Sequence, residues 1–177
     1  MNFTAKSKFN YKTIQDFTRA TFYGKRNPLK MFVIHSLISL LLIGVVLLEM
    51  HLLGANTELI GLLVAAIILL LLDLFWYFVM PWVRYRALGQ LRGCTNEYTF
   101  TEDSIRLTSY DNGFSGESRI DYKVLYRCIE TSAYFYIFQT KSQAFIVDKS
   151  TMEAGNHLLL RQKLQPILEK KYQIYKY

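Results

Sequence analysis

Two long apolar runs dominate the hydrophobic pattern. Met31 to Leu48 is 18 residues without a charge, and Leu59 to Met80 is 22 residues with one, Asp73. As helices they extend about 27 and about 33 Å, against a hydrocarbon core of about 30 Å. Both are long enough to cross a bilayer, and a chain of 177 residues offers too little protein to bury two such segments. The first run begins only after 30 residues and has no small-x-small cleavage site before Glu49, so it is expected to stay in the mature protein rather than be removed as a leader. Pro81 is expected to end the second straight helix. The membrane segments are therefore placed at about 31–50 and 59–80, within a hairpin of residues 31–83.

The flanks carry different periods. Between Tyr11 and Phe22 the apolar positions Tyr11, Ile14, Phe17 and Phe22 have helical spacing, with Asn10 as N-cap and Gly24 and Pro28 as breakers. This helix is expected to lie on the inner leaflet or to dock its apolar stripe on the soluble domain, and Phe3 to Phe9 is long enough to add a strand. After Arg92 the period becomes two. Strands are expected at Glu97–Thr101, Ser104–Ser109, Gly116–Tyr122, Tyr126–Glu130, Ala133–Thr140 and Gln143–Asp148. The intervening turns fall at Glu102-Asp103, Asp111-Asn112-Gly113, Thr131-Ser132 and Lys141-Ser142. The dense run Tyr134 to Phe138 suggests a strand covered on both faces. A helix is expected from Thr151 to Lys171, interrupted at Pro166. The fold class is membrane α+β: a two-helix transmembrane hairpin plus an antiparallel β domain over 84–177, pleckstrin-homology-like (barrel or sandwich) and closed by the C-terminal helix. Residues 1–30 form a basic arm.

Charge fixes the orientation. Of the net +7, residues 1–30 carry +6 (seven Lys or Arg against Asp16), residues 31–83 carry −3 and residues 84–177 carry +4. Lys25, Arg26 and Lys30 precede the first membrane helix, Arg84 and Arg86 follow the second, and the connector Glu49–Glu58 has no Lys or Arg. The positive-inside rule then places both termini in the cytoplasm of a multi-pass protein and makes these five residues the expected inner-leaflet contacts. The same rule accounts for the basic composition without nucleic acid. Phe75, Trp76, Tyr77, Phe78 and Trp82 form an expected interfacial belt.

Asp73 is the one ionisable group deep in the pattern. A central carboxylate costs about 2.5–3.5 kcal/mol on insertion scales, which the surrounding Leu, Ile, Val and Phe offset at about 0.3–0.6 kcal/mol each. At a depth of about 12 Å it matches Ser39 in an antiparallel hairpin, with His35 a turn shallower. A hydrogen bond from Ser39 or His35 is expected, as polar glue between helices or, in an oligomer, as part of a relay. Cys94 and Cys128 lack CxxC spacing and read as small reduced apolar residues; His157 is the sole histidine after residue 51, so no metal or other cofactor is expected. Ser, His and Asp are not clustered, and neither a phosphate-binding glycine loop nor an HExxH motif occurs, so no enzymatic activity is expected.

Within this frame stand Tyr98-Thr99-Phe100-Thr101-Glu102-Asp103-Ser104-Ile105, then Ile120-Asp121-Tyr122 leading to Ile129-Glu130-Thr131, then Ala144-Phe145-Ile146-Val147-Asp148-Lys149-Ser150. This layout resembles the bacterial YcxB-like membrane proteins, with Tyr122 where Trp would be expected. The resemblance implies a bacterial inner membrane and a cytosolic domain, and it assigns no chemistry. The functional expectation is a membrane-anchored interaction or regulatory module that meets lipid, a protein or peptide partner, or further copies of itself at the inner leaflet. The alternatives are an immunity-type or accessory subunit protein and an oligomeric ion or proton conductor.

Overall fold

The computed structural model describes residues 2–111 and 114–177, with the side chains of 110, 111, 114 and 115 left aside. The turn expected at Asp111-Asn112-Gly113 falls largely outside the described residues. Two four-stranded sheets lie outside the two long apolar helices. Sheet A runs β1 (Phe3–Lys8), β2 (Thr95–Phe100), β3 (Ser104–Asp111) and β4 (Phe114–Asp121), antiparallel throughout. Sheet B has the order β7 (Ala144–Asp148), β6 (Tyr134–Phe138), β5 (Arg127–Glu130), β8 (Tyr172–Ile174). The strand Phe3–Lys8 pairs Phe3 with Phe100 and Lys8 with Thr95, so the first residues complete a sheet whose other strands lie beyond the hairpin.

Three expectations about this domain change. It is not wholly antiparallel: β8 lies parallel to β5, pairing Cys128 with Tyr172 and Glu130 with Ile174. The sequence reading continued a helix to Lys171, but α5 spans Asn156–Leu168 and stops where Glu169 takes φ 46°. Pro166 lies inside its last turn without breaking it, and its missing N–H leaves the Gln162 carbonyl without that helical donor. Nor do the eight strands close into one barrel; they remain two sheets, with β1 and β7 neighbours at one edge.

Sheet B is buried on both faces. Cys128, Phe135, Ile137 and Val147 face a core shared with Tyr98, Phe100 and Ile105 of sheet A and with Leu160, Leu164 and Leu168 of α5. Tyr134, Tyr136, Phe138 and Ile146 face the other way, where α1 (Tyr11–Tyr23) covers them with Ile14, Phe17 and Ala20. Each large apolar side chain so buried contributes roughly 1.5–3 kcal/mol. Asn10 accepts from Thr13 N to cap α1, and Gly24, at φ 63°, ends it in a conformation that costs glycine little. The apolar stripe of α1 thus docks on the domain.

The hairpin consists of α2 (Pro28–Leu53) and α3 (Thr57–Leu74), and the second helix continues through a π-helical turn, Phe75–Val79, into α4 (Met80–Ala87). Both segments are long and apolar enough to cross a membrane, and little of either is buried within the protein. The more covered positions Ser39, Ile43, Val46 and Met50 face Leu59, Leu63, Ala66, Leu70 and Asp73, at alternating spacings of three and four, as in a left-handed helix seam. Pro81 does not end the second helix. A proline cannot donate to the carbonyl four residues earlier, here Tyr77, and the π turn accommodates the mismatch, with Met80 N bonding to Phe75 O.

Candidate functional site

The three parts of the chain meet at the lip of the hairpin. Arg19 of α1 lies with its guanidinium 3.8 Å above the Tyr77 ring and donates from Nη2 to Tyr77 O at 3.5 Å, the carbonyl to which Pro81, lacking an N–H, cannot donate. Phe32 stacks on Tyr77 at 4.2 Å, Phe22 on Trp76 at 4.5 Å, and Arg84 Nη1 donates to Thr21 Oγ1 at 3.3 Å. Tyr177 Oη donates to Gly24 O at 3.0 Å, and Ser132 Oγ donates to Tyr177 O at 2.7 Å. Arg19 is not one of the apolar positions Tyr11, Ile14, Phe17 and Phe22 that define the stripe of α1, and nothing in the linear pattern revealed that the lip would supply it with an acceptor.

A cavity of about 240 Å³ opens at this junction between α1, the start of α2, Tyr77 and the turn before β6. Asp16 stands in its wall with Tyr134, Tyr136 and Tyr177. Burial pushes the Asp16 carboxyl above its ordinary value, and the charges of Lys12 and Arg19 pull it only partly back. Among the described residues Asp16 makes no hydrogen bond or ion pair. The Tyr136 side chain is fully buried, and its hydroxyl makes no hydrogen bond although Thr131 lies nearby; Thr18 Oγ1, Arg19 Nε and Tyr23 Oη are likewise buried without partners.

A second polar cluster lies on the far side of the same turn. Glu130, 1% exposed, receives Lys149 Nζ at 2.7 Å, Arg161 Nη2 at 2.6 Å and Nε at 2.9 Å, and the hydroxyl of Tyr172. Burial alone would raise its carboxyl, but the bonds from Arg161, Lys149 and Tyr172 outweigh this and hold it below the ordinary glutamate range. The cluster ties β5, the end of β7, α5 and β8 together. Its cations are committed to Glu130, so the cluster acts as a structural lock rather than an open anion site. The sequence carries one hint of it: Glu130 stands two residues after core-facing Cys128 and therefore on the same strand face.

The residues singled out from sequence are distributed unevenly. His35 Nδ1 lies 3.5 Å from Asp73 Oδ1 across the hairpin. Ser39 is buried one turn further in and makes no hydrogen bond to Asp73. Lys25, Arg26, Lys30 and Arg86 are exposed around the lip, Arg86 over the Trp82 ring at 4.3 Å, while Arg84 is half-buried against Thr21.

Residues 100–164 match the family model described as YcxB-like protein. The chain carries a YcxB-like domain. No curated protein and no solved structure matches the chain. The YcxB-like segment holds Glu130, Lys149 and Arg161, together with Tyr134 and Tyr136. Asp16, Arg19, the hairpin and Tyr172 lie outside it, so the junction joins this domain to parts of the chain that the match does not cover.

Proposed function

We propose that this chain is a membrane-anchored interaction or regulatory module without catalytic activity, whose hairpin spans the bilayer with both termini in the cytoplasm. It binds lipid or a protein segment at the inner leaflet. The observation that carries this reading is the packing of the YcxB-like domain, through α1, on the hairpin. Its outer sheet face is covered by α1, α1 packs on α4, and the junction is ringed by exposed Lys25, Arg26, Lys30 and Arg86. A domain that merely needed tethering would gain nothing from such a seat, whereas one that reads the leaflet needs a fixed height and orientation. Cations in these positions suit an anionic inner surface, each contributing about 1 kcal/mol near it. The pleckstrin-homology-like plan belongs to the same proposal, supported by the run of strands followed by α5, which buries Leu160, Leu164 and Leu168.

The test is cross-linking from a photoreactive residue at Ser132 of the intact chain in native membranes. Recovery of lipid or a defined protein partner is the expected result. A reporter fused after Tyr177 that proves accessible from outside the cell would sink the orientation, and exclusive recovery of unrelated abundant proteins would sink the binding role.

A further inference from the structure

We propose that the 240 Å³ cavity at the hairpin lip is a binding site for a primary ammonium carried on a phosphate ester, the chemistry of an ethanolamine headgroup, with Asp16 as counter-ion. This rests on the reading above that the lip sits at the inner leaflet, and it names the ligand there. Asp16 is a half-buried carboxylate with no ion pair, although two cations are close in sequence. Arg19, three residues on, is turned away onto the Tyr77 ring and carbonyl, and Lys12, one turn before, is exposed. A carboxylate kept from its neighbours in a partly desolvated wall is set for a cation supplied from elsewhere.

The remaining wall fits a cation with N–H groups. Tyr134, Tyr136 and Tyr177 border the cavity beside Asp16, and tyrosine faces attract ammonium groups. The buried Tyr136 hydroxyl has Thr131 beside it but no hydrogen bond of good geometry, which an ammonium or a water it brings would supply. The mouth includes Asn27, Pro28 and Leu29, the first residues of the membrane helix. Leu29 is exposed, and the neighbouring cations Lys25, Arg26 and Lys30 are exposed on the same short stretch of chain. An ester phosphate just outside the cavity would therefore meet cations while its ammonium met Asp16, and a lipid's acyl chains would lie along α2. An anionic glycerol headgroup offers Asp16 only neutral hydroxyls and no counter-charge, while its net negative charge is repelled by the carboxylate. The same ammonium–phosphate pair also occurs as free phosphoethanolamine, so the two sources must be separated.

The full chain is reconstituted in vesicles of phosphatidylglycerol and phosphatidylethanolamine, and flotation is scored first. Lipid retained on the released protein is then measured by native mass spectrometry. Retention of phosphatidylethanolamine over phosphatidylglycerol by about tenfold is expected, falling to parity in Asp16→Asn and by several-fold in Tyr136→Phe. Glu117→Gln, on the exposed part of β4, should leave the preference unchanged. In a parallel arm free phosphoethanolamine is added to the detergent-solubilised chain; a rise in melting temperature without any lipid preference assigns the site to the soluble ligand. Parity in the unaltered chain with no response to free phosphoethanolamine, or a preference that survives Asp16→Asn, overturns the proposal. Failure to float with the vesicles instead overturns the anchoring reading beneath it.

Discussion

Replacing Glu130 by Ala leaves Lys149 and Arg161 facing a buried space without their carboxylate, and the expected loss is about 3–5 kcal/mol, read as a large fall in melting temperature of the purified chain. Its pH dependence follows from the depressed folded-state carboxyl. The unfolded chain binds the proton more readily, so the cluster's contribution is complete above the ordinary glutamate value of 4.5 and is lost as pH falls through the lower folded value. A melting series from neutral to acid pH should therefore show a steeper decline for the native chain than for Glu130→Gln; equal slopes would count against Glu130 as the linked group. Asp73 belongs to a different setting. Its contact with His35 lies between two helices that enclose no pathway of their own, so Asp73→Asn is expected to leave ion flux across reconstituted vesicles unchanged while weakening the contact. Loss of a measurable flux in that variant would favour the conductor reading instead.

At the scale of elements, the π turn and α1 depend on each other. Pro81 frees the Tyr77 carbonyl, the π turn Phe75–Val79 absorbs the misfit, and Arg19 answers the carbonyl while covering the ring. Arg19→Ala removes both contacts and should loosen α1 from the lip, which limited proteolysis in the Gly24–Asn27 connector would report as faster cleavage. Asn10→Ala removes the cap on Thr13 N and should cost about 1 kcal/mol. The existence and type of α1, the two long apolar helices, β1 to β7 and the C-terminal helix were all readable from period and punctuation. The pattern misplaced the ends. Pro81 was taken as a stop because proline is costly in an α-helix, but the cost falls when the backbone switches to i→i+5 bonding. Tyr172–Ile174 was absorbed into a helix because three residues carry no period of their own, and a parallel partner 44 residues earlier leaves no local mark.

Across the whole molecule, the arm of residues 1–30 completes both clusters that flank sheet B of the domain of residues 84–177, with Phe3 and Ala5 in one and Ile14 and Ala20 in the other. Expressed alone, 84–177 would lack β1 along the edge of β2 and α1 over Tyr136, Phe138 and Ile146, exposing a strand edge and an apolar sheet face. That fragment is expected to aggregate, and joining residues 2–24 to it through a flexible linker should restore a soluble monomer by size-exclusion chromatography. A monomeric, cooperatively melting fragment without the arm would show that the core is smaller than described. The sequence by itself determined the two apolar spans, the charge asymmetry around them and the alternating strands, because each is a property of neighbouring residues and of their transfer from water. Only the tertiary structure decided that Arg19 meets Tyr77, that Asp16 faces three tyrosines without a partner, and that Glu130 gathers Lys149, Arg161 and Tyr172. Those groups come from distant stretches of chain, and their energies depend on burial and mutual distance, which no linear pattern contains.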